Sequence, residues 1–305
     1  MVPFILNRYL VFVLTVSGIL AILAVSWDLL TGYTGQISFA SAAFYGIGAY
    51  ASGLLVVNLG ISPWIGMFLG GLITGFFGLV IGFPSLRLRG HYLAIATLGF
   101  NEVARLFCLN EREITRGALG LYVTGLPGIP KPSEIWYYYL MVVLLSTITF
   151  ISYKLVKSPI GIACRAIRED EIGAEAAGIN TGRYKLFVFM VSAFFSGVAG
   201  AFNGHMVLIV DPAWLNLVRS AEVISMAIFG GIGTLFGPIL GAFTLHLVSE
   251  FLRKYGEFRL ILYGIALISV VTIMPQGIMG VLKSSYRRLR AIGKTEFEET
   301  RVEVF

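Results

Sequence analysis

The chain has 305 residues, of which 57% are hydrophobic and only 13% charged, and its mean hydropathy is +0.83. Soluble domains carry about 25% charged residues, so this composition excludes an ordinary soluble protein and indicates a polytopic membrane protein. The net charge of +6 does not indicate nucleic-acid binding, because Lys and Arg collect in Lys154–Lys185 and in the tail Lys283–Arg301. Such clusters are what the positive-inside rule requires of cytoplasmic segments.

Apolar runs long enough to cross about 30 Å of hydrocarbon recur along the chain. Shorter or Gly-interrupted candidates lie between them, so we expect an all-α transmembrane bundle of about eight to ten membrane segments, some broken or re-entrant. The long runs lie near residues 9–30, 37–58, 63–83, 135–154, 186–209 and 259–275, and the shorter candidates near 91–109, 220–236 and 238–252.

The positive-inside rule places the loop at 154–185 and the C-terminal tail in the cytoplasm. The same reasoning places Asp211–Pro212 outside and Arg87 and Arg89 inside. Arg253, Lys254 and Arg259 would then lie on the outer side, against the rule, so either that loop is exceptional or one Gly-broken segment is re-entrant. The side of the N-terminus stays open as well.

Small residues recur at helical spacing in two apolar segments, and they predict close helix–helix packing. In a membrane, small residues let helix backbones approach where no hydrophobic effect drives association. The two stripes are Gly71, Gly75, Gly78 and Gly82 in one segment, and Ala193, Gly197, Gly200 and Gly204 in the other.

Polar residues interrupt the apolar segment that begins at His91. On a helix Thr97, Asn101 and Arg105 share one face, and Glu102 can pair with Arg105 at i, i+3. An ionisable group inside a membrane normally faces a cavity or a partner, so these residues either line a passage or lie where the helix emerges into the headgroups. The same two interpretations apply to Asp28 and Glu222.

A polar island of 15 residues, Arg165–Ile179, lies between long apolar segments. Its composition predicts one helix at the cytoplasmic surface, with Gly178 as its C-terminal stop. Arg165 can pair with Glu169 at i, i+4, and Arg168 can reach Glu171. The helix either docks into a groove on a soluble partner or is a solvated loop with ordinary charge pairs.

The chain carries no recognisable catalytic motif. We find no phosphate-binding loop, no nucleophile elbow and no HExxH pair, and Cys108 and Cys164 are placed neither for a disulfide nor for a metal. We therefore expect no catalytic residues, no metal and no bound cofactor. Uphill transport would need either an ion gradient or a separate ATP-hydrolysing subunit.

Several blocks of sequence resemble one family of transport proteins. Glu175-Ala-Ala-Gly178, preceded by Arg165-Ala-Ile-Arg-Glu-Asp-Glu171, resembles the cytoplasmic EAA-type loop of ABC importer permeases. The wider chain resembles the LivM branch of the branched-chain amino acid permeases. The blocks that carry this wider resemblance are Leu30–Ala40 with Gly46–Tyr50, Leu86–Gly99 and Gly230–Ala242.

The resemblance implies a permease subunit in a cell membrane, with a permease domain at 1–282, a coupling helix at about 164–179 and a cytoplasmic tail at 283–305. The implied partners are a related second permease, two ATP-binding subunits that hold ATP and Mg, and an extracytoplasmic solute-binding protein. The substrate would be leucine, isoleucine, valine or a related hydrophobic amino acid. The implied ATPase-coupling residues are Arg165, Arg168, Glu169, Glu171, Glu175 and Gly178, and the implied translocation path includes Gln36, Ser38, Ser41, His91, Thr97, Asn101, Glu102 and Arg105.

Two other functions stay open from the sequence. A gradient-driven secondary transporter of a small solute would use the same kind of bundle, but the scarcity of mid-membrane carboxylates argues against it. A non-transporting membrane scaffold would carry no solute with any partner.

Overall fold

The structure is a computed structural model that describes residues 7–85, 91–129, 133–255, 264 and 277–280. Two antiparallel two-residue strands pair at one end of the bundle, with Leu121 opposite Val210. In chain order the elements are α1 (Arg8–Thr34), α2 (Ser41–Leu59), α3 (Pro63–Ser85), α4 (His91–Asn110), β1 (Leu121–Tyr122), α5 (Ser133–Lys157), α6 (Pro159–Glu169), α7 (Glu171–Ala176), α8 (Thr181–Val207), β2 (Ile209–Val210), α9 (Leu217–Gly230) and α10 (Gly237–Phe251), with 3₁₀ turns at Gly117–Leu119, Pro212–Leu215 and Leu252–Tyr255.

The predicted class, a helical membrane protein, is confirmed, but the predicted count of eight to ten membrane segments is not. Within the described ranges, six helices are long and apolar enough to cross a membrane: α1, α2, α3, α4, α5 and α8. The candidates near 220–236 and 238–252 form α9 and α10, of 14 and 15 residues. At 1.5 Å per residue these helices span only about 22 Å. The candidate near 259–275, apart from residue 264, and the tail from 283 lie outside the described residues.

Helix α1 lies at the centre of the bundle. It is apolar on all sides, and such a helix is stable only when it is surrounded. It packs against α5, α8 and α10, and its side chains are buried almost without interruption from Val11 to Thr34. Even the carboxylate of Asp28 is only 2% exposed. Contacts that fix the position of α1 therefore also fix the helices packed around it.

The two stripes of small residues pack as predicted, and the reason is the lack of space for a side chain. A Cβ added to Gly78 would stand 2.7 Å from the Cβ of Ala193, and one on Gly197 would stand 2.6 Å from the Cβ of Thr74. Gly200 packs instead on α2, where an added Cβ would stand 1.8 Å from the carbonyl oxygen of Tyr45. Helices α2, α3 and α8 thus form a tightly packed unit.

The two ends of the bundle differ in structure. At one end, α6 and α7 connect α5 to α8, and we call this the α6–α7 end. At the other, the strand end, β2 follows α8 directly and Tyr9 at the start of α1 donates a hydrogen bond to Glu250 near the end of α10. The 3₁₀ turns at Gly117–Leu119 and Leu252–Tyr255 lie in the connections that follow α4 and α10.

Candidate docking surface and membrane break

The polar island forms two short helices, so the prediction of a single helix over Arg165–Ile179 was wrong. Helix α6 already begins at Pro159 and ends at Glu169. Asp170 is extended, with φ −154°, and its Oδ1 accepts the N–H of Ile172 at 3.0 Å, which starts α7 in the manner of a helix N-cap. An N-cap aspartate competes with continuation of the preceding helix, which explains the break.

Gly178 ends α7, as its position in the sequence predicts. Its φ is +84°, and its N–H donates to the carbonyl of Glu175 at 2.9 Å. The N–H of Ile179 donates to the carbonyl of Ala174 at 3.0 Å. This pair of bonds is a Schellman motif, in which glycine is preferred because its φ is positive.

Helices α6 and α7 expose a surface that is partly apolar and partly charged. Helix α6 buries Cys164 and Ile167 against the bundle, whereas Ile162 is 59% exposed and Ile172 of α7 is 66% exposed. Large exposed apolar side chains rimmed by charges mark interaction sites. We call the following exposed residues the docking surface: Ile162, Arg165, Glu169, Asp170, Ile172, Glu175 and Ala176.

The predicted coupling residues divide into those that lie on this surface and those that hold it in place. Glu169 is exposed and has no ion-pair partner among the described residues, while the guanidinium of Arg165 donates to the carbonyl of Val156 at 3.4 Å. In the described part of the chain, Arg168 reaches the carbonyl of Gly32 and Glu171 pairs with Lys185. Glu175 instead accepts the hydroxyl of Thr181 at 2.7 Å.

Arg168 is exposed overall, but its guanidinium ties α6 to α1. Its guanidinium donates to the carbonyl of Gly32, in the last turn of α1. Gly233, in the turn between α9 and α10, lies beside both groups, and its N–H donates to Oδ1 of Asp28 at 2.7 Å. A displacement of α6 would therefore also move α1 and the α9–α10 turn. Asp28 is part of this contact and not an interfacial residue solvated by headgroups.

A buried ion pair ties α7 to α8. Nζ of Lys185 lies 2.7 Å from Oε2 of Glu171, and the lysine side chain is only 1% exposed. A buried charge that loses its partner is strongly destabilising, so Lys185 holds Glu171 and the start of α7 in one position. Sequence reasoning missed Lys185, because a lysine near the start of a membrane-spanning helix gives no sign that it is buried.

Both cysteines are free and buried. Burial raises the pKa of the Cys164 thiol in α6 to about 11. We expect the native protein to resist maleimide labelling at pH 7, because the thiolate is the reactive form and almost none is present well below the pKa. Mass spectrometry should show labelling only after unfolding in SDS. An Ile162→Cys variant, exposed on the same helix, should react rapidly, and fast labelling of native Cys164 would contradict the buried position.

A second candidate site lies where the backbone leaves the helical conformation inside the bundle. Residues 35–40 join α1 to α2 without regular structure. Nε1 of Trp27 donates to the carbonyl of Ser38, and the hydroxyl of Thr31 donates to the carbonyl of Gln36, both at 2.8 Å. The segment therefore runs back along the last third of α1. Irregular backbone at membrane depth is tolerated only where protein or a water-filled cavity surrounds it.

The predicted path residues Thr97 and Asn101 form hydrogen bonds to this segment, so these side chains do not face an open passage. Thr97 Oγ1 accepts the N–H of Phe39 at 2.9 Å, and Asn101 Oδ1 accepts the N–H of Ala43 at 2.8 Å. Ser220 of α9 completes the set: its Oγ accepts the N–H of Ala42 at 3.0 Å and donates to the carbonyl of Phe39 at 2.8 Å. Sequence reasoning did not single out Ser220, since one serine in an apolar helix is unremarkable.

The other predicted path residues are distributed as follows. Ser38 accepts the N–H of Ala40 at 3.2 Å, and Ser41 is buried at the start of α2. Gln36 is 7% exposed, and its Oε1 is buried without a hydrogen-bond partner. Glu102 and Arg105 form the predicted i, i+3 ion pair, with a closest contact of 2.5 Å, and both stay partly exposed. The side chain of His91 lies outside the described residues.

A tightly packed bundle of apolar helices, a broken segment at membrane depth and an exposed docking surface define a multi-pass membrane protein. The chain belongs to the family of branched-chain amino acid transport system permease components, whose family model matches residues 9–271.

Curated proteins of this kind are similar over most of the chain. LivM, a permease protein of a high-affinity branched-chain amino acid transport system of Escherichia coli, is 31% identical, and the match covers 96% of this chain and 75% of LivM. LivH from the same organism is 26% identical, with 87% and 92% covered, and BraD from Pseudomonas aeruginosa is 25% identical, with 88% and 93% covered. No solved structure is significantly similar to the chain.

Proposed function

We propose that the chain is one of two related permease subunits of an ATP-driven importer for leucine, isoleucine, valine or related hydrophobic amino acids. The observation that carries the proposal is the docking surface, which is exposed to a partner yet fixed to the membrane helices by Arg168 and Lys185. The similarity to both LivM and LivH, two permease proteins of such a system, supports a heterodimer of related subunits.

The energy would come from two ATP-binding subunits seated on the docking surface, with ATP and Mg held by those subunits. Their closure would displace α6, and the contacts of Arg168 would pass that displacement to α1 and to the α9–α10 turn. Packed helices with glycine contacts change between discrete arrangements and do not deform continuously, which suits alternating access. A solute-binding protein outside the membrane would supply the amino acid.

The same proposal places the α6–α7 end in the cytoplasm of a cell with an inner membrane. Lys154 and Lys157 in the last turn of α5 and Arg165 and Arg168 in α6 all lie at that end. This distribution agrees with the positive-inside rule. Since α1 runs towards the α6–α7 end, its start would then lie on the outer side, together with the Arg253–Glu250 pair beside Tyr9.

The experiment is uptake of labelled leucine by proteoliposomes that contain the complex purified from native membranes. We expect uptake to require enclosed ATP, the ATP-binding subunits and the solute-binding protein. Uptake by the chain alone that is abolished by uncouplers would point to a gradient-driven carrier and overturn the proposal. Absence of flux with every partner present would point to a scaffold.

A further inference from the structure

Helix α9 carries an ion pair that the mechanism above does not use. Nη1 of Arg219 lies 3.3 Å from Oε2 of Glu222, one helical turn further on, and the side chains are 35% and 32% exposed. Charge-assisted hydrogen bonds are usually about 2.7–2.9 Å long. The pair is thus held by one long contact and keeps hydrogen-bonding capacity to spare.

This pair lies at the depth of the membrane break. Ser220, next to Arg219, binds the N–H of Ala42, and Asn101, from the middle of α4, binds the N–H of Ala43. Helices α4 and α9 therefore meet the start of α2 at adjacent residues. Since Asn101 is halfway along a helix long enough to span a membrane, Arg219 lies far from either end of the bundle.

Helix α4 repeats the arrangement. Glu102 follows Asn101 in the chain and pairs with Arg105, so each of the two helices that hold the break carries one carboxylate and one guanidinium beside it. Arg105 is only five residues before the end of α4, so the cost of placing a charge against lipid applies mainly to the Arg219–Glu222 pair. That pair therefore faces a water-filled passage or a protein partner.

Four N–H groups of the backbone at this point are already occupied. Those of Phe39, Ala40, Ala42 and Ala43 donate to side chains of the protein itself. A carboxylate that enters the passage cannot use these four donors, and a guanidinium is the side chain best suited to bind it. Gln36 adds an acceptor, because its buried Oε1 has no hydrogen-bond partner.

We infer that Arg219 and Glu222 form a binding site for the zwitterionic substrate beside the break. The guanidinium of Arg219 takes the α-carboxylate and the carboxylate of Glu222 takes the α-ammonium as this loose pair opens and closes again, while Glu102 and Arg105 stay paired on α4. The apolar side chain of the substrate needs no tight pocket here, because a transported solute must bind weakly enough to leave the site again. The inference rests on the proposed function in amino acid import and adds the residues that recognise the substrate.

The test measures leucine taken up per ATP hydrolysed by the complete complex in proteoliposomes, for Arg219→Gln, for Glu222→Gln and for the exchanged pair R219E/E222R. We expect each variant to lose about tenfold in this ratio. Each neutral variant loses a hydrogen bond to a charged group of the substrate, and the exchanged pair presents each charge at the wrong position for that group. Arg253→Gln is the matched control: it removes a cation from another i, i+3 pair, with Glu250, outside the break, and should leave the ratio unchanged.

Assembly of each variant is checked by co-purification of its partners. If a neutral variant does not assemble, Arg219→Lys carries the test: it keeps the charge but loses the planar fork, and we expect a smaller, roughly threefold loss. Normal uptake in the variants that assemble would overturn the inference. Normal uptake per ATP by R219E/E222R would overturn it as well, because an ion pair that only stabilises the structure can form with the two residues exchanged. A wild-type complex without ATP-driven leucine uptake would instead refute the proposed function, and the inference with it.

Discussion

Replacing Gly200 with alanine is expected to destabilise the protein by about 3 kcal/mol, the upper part of the usual range for overpacking a core. The added methyl group would stand 1.8 Å from the carbonyl oxygen of Tyr45, which is backbone and cannot turn aside. Helices α2 and α8 would have to separate at the centre of the bundle. The midpoint of thermal unfolding in detergent, followed by tryptophan fluorescence, measures the effect.

Gly99→Ala is the matched control, because Gly99 is also inside a membrane helix but an added Cβ would meet no atom within 4 Å. Alanine is a better helix former than glycine by up to about 1 kcal/mol, so this variant should be unchanged or slightly more stable. Equal effects of the two substitutions would show that close packing of α2 and α8 is not what glycine provides at position 200.

Ile172→Asp is expected to remove the ATP-binding subunits from the complex while leaving the permease folded. The side chain is 66% exposed, so the free chain loses little by the change. A buried apolar anchor in an interface is worth about 2 kcal/mol, which corresponds to roughly 30-fold weaker binding. Co-purification of the ATP-binding subunits with tagged permease, together with ATP-driven leucine uptake, measures the loss.

Leu119→Asp serves as the control for this variant. Leu119 is 80% exposed, in the 3₁₀ turn after α4 and away from α6 and α7, so the aspartate is equally solvated there. The ATP-binding subunits should stay bound to this variant, and the unfolding temperatures of both isolated permeases should match that of the wild type. Retention of the subunits by Ile172→Asp would show that they bind elsewhere.

Local patterns in the sequence were sufficient for much of the fold. Long apolar runs predicted α1, α2, α3, α5 and α8, and spacing of small residues predicted close helix packing, which the structure places between α3 and α8. The i, i+3 pair of Glu102 and Arg105 and the positive φ of Gly178 follow from neighbours within a few residues. Each of these features depends on hydropathy or turn chemistry close in the chain.

The site could be predicted only in outline. The exposed polar island was visible as an interruption in hydropathy, but its break at Asp170 depends on whether that carboxylate caps α7 or faces solvent. Thr97 and Asn101 were recognised as unusual polar residues, yet their partners at Phe39 and Ala43 are 58 positions away. A pattern in one segment cannot specify which other segment will supply a hydrogen bond.

The sequence by itself determined that the chain is a membrane-embedded helical bundle with one polar segment and closely packed glycine faces. Only the tertiary structure decided that Arg168 turns inward to Gly32, that Lys185 is buried on Glu171 and that Asp28 holds Gly233, 205 residues further along. The reason is that apolar side chains partition into a membrane one segment at a time. A buried polar group must find its partner among whichever helices pack against it, and that packing exists only once the whole chain has folded.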